Sequence, residues 1–332
     1  MSNGRPTRVP ELPGLTGGKA LGAGEDGDLF QMRDSATGAP RLVRVASAER
    51  VSREARILAK LADLDGIAHL VAESAAADGR PVIVTQFVEG ATMRATLDAR
   101  ALPWAPAVRA TVALARVIGA IHERGIVHGG IRPDHLVLAS PAPVVIGFGE
   151  AMPIGGSHTA SPDQREWSPP QVIGRAAPAT PDIDVYALAA VLYALVTRRS
   201  PARAARKLAR DATAPSGAVG SWLPPVTAPG APEALNAALR HALAPRPDQR
   251  YQTMAEFSGA LAAVLAGAEP PAPLGAQDDP DPVVPAPPAA PRPPSVAPER
   301  PPSVELAPKP PSYAFPPAWS PPPAPGGPAS AV

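Results

Sequence analysis

Proline limits where this chain can fold. Of its 48 prolines, 24 lie after Ala268, in a 332-residue chain. Proline fixes φ and has no backbone N–H, so runs this dense can neither extend a helix nor sit inside a sheet. Residues 268–332 are therefore predicted to be a disordered, partly polyproline II tail that buries too little apolar surface to offset its ordering entropy. What packs must precede it, in a domain spanning 18–267. Residues 1–17 are predicted to be a disordered N-terminus.

Composition removes several function classes. Cysteine is absent, which excludes disulfides and thiolate metal sites. A formal net charge of +1 makes no case for nucleic acid or an anionic membrane. The start, MSNGRPTRVPELPG, lacks the apolar stretch of a signal peptide, and no continuous apolar run reaches the ~18 residues that suggest a membrane span. The expectation is a soluble, cytoplasmic protein with no nucleic-acid or membrane partner.

Along the chain, KALGAGEDGDLFQM reads as two short strands around glycines, and RLVRVAS as a strand with period-2 alternation. A helix is predicted from Ala48 to Leu64, with Glu54, Ile57, Leu58 and Leu61 on one face. RPVIVTQFVEG is a buried-type strand. Helices follow at Ala105 to Arg124, Asp184 to Thr197, Pro232 to Leu243 and Met254 to Leu265. The run DVYALAAVLYALVT is apolar nearly all round, so it belongs inside a domain. This order gives a small β-rich lobe (18–89) and a larger helical lobe (90–267), an α+β class.

Gly22, Gly24 and Gly27 form a G-x-G-x-x-G. A dinucleotide-binding loop would need a helix straight after it, but a strand and turn follow. The motif sits ahead of a strand with a basic residue, a helix with an inward Glu, a strand ending in E-G, H-G-G-I-R-P-D-H, G-F-G and the buried helix. That succession resembles the eukaryotic-type Ser/Thr protein kinase domain found in bacteria.

The resemblance implies a two-lobed kinase-like fold and a role for each matching position. Gly22, Gly24 and Gly27 match the loop covering a nucleotide. Arg44 stands where the family has the phosphate-binding lysine, and Glu54 at its helix partner. Thr85 is at the gatekeeper position, with Gln86 to Val88 as hinge. Residues His128 to His135 match H-R-D-L-K-P-E-N, Gly147-Phe148-Gly149 matches D-F-G, and Ser168-Pro169-Pro170 matches A-P-E. Asp184 corresponds to the acid that anchors the catalytic-loop backbone. Arg250 corresponds to the arginine that pairs with the A-P-E glutamate, a partner that Pro170 removes. Leu58, His128 and Phe148 match the hydrophobic column joining the lobes.

The reactive positions depart from the family. Gly130 replaces the aspartate that accepts the hydroxyl proton, and His135 and Gly147 replace the two metal ligands. Loss of a general base costs ~10²–10⁴-fold, and loss of the metal removes further charge stabilisation. Neutral imidazole is a poor ligand for Mg²⁺, which prefers oxygen. No metal and no resident cofactor is expected. ATP binding without Mg²⁺ is open, though Glu25, Asp26 and Asp28 place negative charge in the glycine loop. Asp134 and Glu150 are the nearby acids that could substitute. The expectation is a catalytically impaired kinase homologue acting as a regulatory or scaffolding module, with an active or atypical nucleotide-dependent transferase as the alternative.

The tail repeats a motif at Arg292 to Val296, Arg300 to Val304 and Lys309 to Tyr313. A basic residue beside polyproline suits the aromatic grooves of proline-reading domains. Ser295, Ser303 and Ser312 would be targets for an active kinase.

Overall fold

The computed structural model describes residues 8–24, 27–203 and 223–267. The tail and its three repeats lie outside the described residues.

The N-terminal lobe is a five-stranded antiparallel sheet in the order β1-β2-β3-β5-β4. Its strands are β1 (Leu15–Gly24), β2 (Gly27–Asp34), β3 (Pro40–Val45), β4 (Leu70–Ala75) and β5 (Pro81–Gln86). Because side chains alternate across a strand, Phe30, Met32, Val43, Val45, Val82 and Val84 gather on one face in a single apolar cluster. Their neighbours Arg44, Ile83 and Thr85 turn to the opposite face.

The helix α1 (Ala48–Lys60) starts at Ser47, whose side chain accepts from the Arg50 N–H, and buries Val51, Glu54, Ala55, Ile57 and Leu58. It stops short of the expected Leu64. The Leu61 and Leu64 N–H groups bond three residues back, a tightening that ends the helix ahead of Gly66, whose φ is +83°.

Residues 8–17 overturn the expectation of a disordered N-terminus. Leu15, Thr16 and Gly17 belong to β1. Leu12 is buried in the sheet's apolar cluster. The Glu11 carbonyl accepts from the Ala77 N–H, and the Arg80 guanidinium donates to the Arg8 carbonyl. A few apolar residues suffice here because the sheet offers a face to cover.

In the second lobe, α2 (Met93–Ala99), α3 (Trp104–Glu123), α4 (Pro181–Thr197), α5 (Glu233–Ala242) and α6 (Met254–Ala266) surround the core. Helix α4 has 15 of its 17 residues buried, so its lack of a polar face reflects a position packed on all sides. Helix α3 is long and apolar enough to cross a membrane by length and composition, although Arg109 and Arg116 interrupt its apolar residues. In the fold it packs against α4 and α6. Thr253 caps α6 by accepting from the Glu256 N–H.

Three small sheets draw their strands from residues 91–178. They pair β6 (Ala91–Thr92) with β8 (Leu136–Leu138) and β9 (Val144–Val145), β7 (Ile126–Val127) with β10 (Met152–Pro153), and β11 (Ser157–His158) with β12 (Ala177–Pro178). They fix the loops that carry the candidate site.

Candidate nucleotide site and catalytic loop

Arg44, on the inward face of β3, reaches Glu54 on α1 at 2.9 Å, and both side chains are buried. Two more α1 arginines extend this contact. Arg53 donates to the Gly149 carbonyl at 2.9 Å, and Arg50 pairs with Glu150 at 3.2 Å. A β-carbon at Gly149 would lie 2.8 Å from Arg44 Nη1, so the guanidinium presses directly on the G-F-G backbone. Sequence reasoning found the Arg44–Glu54 pair but missed Arg50 and Arg53. Their one signal was spacing, since residues 50, 53 and 54 share a helical side.

The catalytic loop hangs on Asp184. One of its carboxylate oxygens accepts from the Gly129 N–H at 2.9 Å, and the other from the His128 N–H at 2.8 Å. His122 Nε2 also lies 2.9 Å from Asp184. Burial alone would push this carboxyl up, but the hydrogen bond and charge from His122, together with His128, hold it below the ordinary range. The His128 ring packs tilted against Phe148 with 4.8 Å between centroids, and Leu58 and Phe148 share the main core.

His135 and Gly147, the two metal-ligand positions, occupy one space. A β-carbon at Gly147 would fall 2.5 Å from His135 Cδ2 and 2.7 Å from Cγ and Nε2. His135 Nδ1 lies 2.7 Å from the Gly130 carbonyl, which accepts, so this nitrogen carries the proton. Burial, then the neighbouring Arg132, His128 and Arg44, hold its pKa well below the usual imidazole value. It is a neutral ring. These residues do not fit Mg²⁺: one position has no side chain, and the other fills the space with imidazole while committing a nitrogen to a carbonyl.

Gly130 is enclosed in the same way. A β-carbon there would meet Gln164 Nε2 at 3.2 Å and Glu150 Cβ at 3.3 Å. At Gly129 it would meet the Glu150 carbonyl at 3.1 Å and His158 Cε1 at 3.3 Å. Sequence reasoning did not single out His158 or Gln164, since only the folded chain brings them to the loop. Both acids considered as substitutes are engaged, Glu150 with Arg50 and Asp134 with Arg94 at 3.4 Å.

Within the glycine loop, β1 and β2 pair from Gly22 opposite Leu29 to Gly24 opposite Gly27. Gly27 has φ +107°, and a β-carbon there would lie 2.1 Å from the Val45 carbonyl, so packing on β3 alone demands glycine. A β-carbon at Gly22 meets nothing within 4 Å. Thr85 pairs across the sheet with Leu42 and is buried, while Gln86 is exposed and Val88 half-buried on the strand's exit.

Pro170 leaves Arg250 without the family's glutamate, yet every nitrogen of Arg250 has an acceptor. Its Nη1 donates to Asp182 at 2.9 Å, Nη2 to Gln171 at 3.0 Å and to the Pro245 carbonyl, and Nε to the Ala244 carbonyl. Asp182, two residues before Asp184, takes the role that sequence reasoning left without an acid.

A β-sheet lobe with an inward basic residue paired to its helix, joined to a helical lobe whose catalytic loop hangs from a buried acid, defines a protein kinase domain. The protein kinase domain family matches residues 15–250, and the chain belongs to it. Relatives in sequence include bacterial serine/threonine-protein kinases. The serine/threonine-protein kinase PknJ of Mycobacterium tuberculosis is 28% identical over 279 residues, covering 75% of this chain and 45% of PknJ. PknB of Mycobacterium leprae is 30% identical over 207 residues, covering 58% of this chain and 32% of PknB. The chain thus spans under half the length of these relatives. Among solved structures, the kinase PK-1 of Cydia pomonella granulovirus shares the fold with a TM-score of 0.58 at 16% identity, covering 74% of this chain and 94% of that one.

Proposed function

We propose that this chain is a catalytically impaired protein kinase homologue that acts as a regulatory or scaffolding module in signalling. The observation that carries the reading is the shared volume of His135 and Gly147, which puts a neutral ring where phosphoryl transfer requires a metal-binding carboxylate. Gly130 supplies no proton acceptor. Arg44 is tied to Glu54, which supports a structural role for it.

The alternative, an atypical transferase, needs an acid from elsewhere. Glu150 and Asp134 are both held by arginines, which argues against it. On the proposed reading there is no resident metal, and any ATP binding at Gly22, Gly24, Gly27, Arg44, Gln86 and Val88 takes place without Mg²⁺. The partners proposed are proteins, either an active kinase or a proline-reading domain docking on the repeats that begin at Arg292, Arg300 and Lys309. The setting proposed is the cytoplasm.

The test is a thermal-shift titration of the full chain with ATP, with and without Mg²⁺ or Mn²⁺, followed by a phosphotransfer assay. A ligand that binds only the folded state raises the melting temperature. No shift, or a shift independent of metal, together with no phosphate transfer, supports the reading. A metal-dependent shift with transfer above background overturns it.

A further inference from the structure

The segment between G-F-G and Ser168-Pro169-Pro170 is where kinases of this fold order a loop by phosphorylation, the added phosphate pairing with arginine. Here Gly129 stands where the family motif has its arginine, and its φ of +66° disfavours any larger residue.

The vacated spaces are filled from the segment itself. The His158 ring lies against Gly129 and the Gln164 amide against Gly130, at the distances given above, and both side chains are only 1% exposed. Backbone bonds hold the segment on both sides. His158 pairs with Ala177 across β11 and β12, and the Ala160 N–H donates to the Val172 carbonyl at 2.8 Å. Gln164 closes a turn: its side-chain oxygen accepts from the Ser161 N–H, and its carbonyl accepts from the Trp167 and Ser168 N–H groups. Arg132 pairs with Asp163 at 3.7 Å, and Arg94 lies over the Trp167 ring. Arg132, which precedes the catalytic-loop proline, thus already has a carboxylate from the segment.

We infer that residues 157–168 are seated permanently, with no phosphorylation step, because His158 and Gln164 replace the side chains that Gly129 and Gly130 lack. The domain would then present one fixed face where an active relative would present a switch. Burial lowers the His158 pKa, in keeping with a neutral ring used as packing. The hydroxyls of Ser157 and Thr159 are exposed, but the inference gives a phosphate placed on them no ordering role.

The experiment is hydrogen exchange by mass spectrometry on the full chain, freed of phosphate by phosphatase and checked by intact mass. The Ala160, Gln164, Trp167 and Ser168 amides should exchange at least about 100-fold slower than an unstructured chain, as expected for closed structure. Gln164→Ala and His158→Ala should each speed exchange in 157–168 and leave α4 unchanged. Unprotected rates in the phosphate-free protein would overturn the inference. So would protection that appears only after an added kinase phosphorylates Ser157, Thr159 or Ser161, or variants that leave the segment's exchange untouched. If a variant fails to fold, the phosphate-free wild-type measurement decides alone. Phosphotransfer by the wild-type chain would sink the proposed function and leave this inference standing, so the two fail separately.

Discussion

The ring of His135 stands where residue 147 would place a β-carbon, 2.5 Å from Cδ2, so the two positions that match the family's metal ligands share one volume. Gly147 also sits at φ +78°, where glycine is favoured. Restoring the acid alone should therefore fail. Gly147→Asp is expected to lose about 2–4 kcal/mol through overpacking and left-handed strain. Adding His135→Asn should recover at least about 1 kcal/mol, a coupling read from a double-mutant cycle in urea. Additive effects would show that the two positions do not share space.

Arg44 and Glu54 form a buried pair, so removing either partner leaves a charge without compensation. Arg44→Met or Glu54→Leu is each expected to cost about 3–5 kcal/mol, and the double variant less than either single one. Chemical denaturation of the four proteins checks this. A double variant as unstable as the sum of the singles would mean that the pair is not the reason for the loss.

Stability should fall as the solution is acidified below neutrality. His128 and His135 are buried, and burial lowers both pKa values below the ordinary 6.5. Below about pH 6.5 the unfolded chain takes up protons that the folded chain refuses, so folding free energy is lost as pH drops, by up to about 1.4 kcal/mol per pH unit for each histidine. The Asp184 carboxyl, already below its usual range, adds nothing between pH 7.5 and 5.5. The urea midpoint should drop across that window, and His135→Asn should reduce the slope by about one proton. A flat midpoint would contradict neutral buried rings.

Arg250 already has four hydrogen bonds, so restoring the family's acid beside it should do little. Pro170 is exposed, and Pro170→Glu is expected to change stability by under about 0.5 kcal/mol. Asp182→Ala should cost about 3–5 kcal/mol, because it leaves a buried guanidinium short of its carboxylate. Melting temperatures of the two variants separate these outcomes.

Much of the scaffold was readable from local pattern. Alternation in RLVRV marked β3, the apolar run from Asp184 to Thr197 marked the buried helix, and the ordered motifs placed Glu54, His128, Phe148 and Asp184 in one fold. The glycines at 130 and 147 announced by identity alone that carboxylates were missing, since glycine has no side chain to offer in any conformation.

Sequence could not say what fills those gaps, because the answer lies in residues distant along the chain. Gln164 reaches Gly130, His158 reaches Gly129, Asp182 reaches Arg250, and Arg53 reaches Gly149 only once both lobes have closed around the core. Nor could proline and glycine content near the N-terminus reveal that Leu12 would be buried, because that depends on an apolar sheet face left open to receive it. Residue identity settled which groups this protein lacks. Tertiary packing decided what replaced them, because occupancy of a volume is a property of neighbours in space and not of neighbours in sequence.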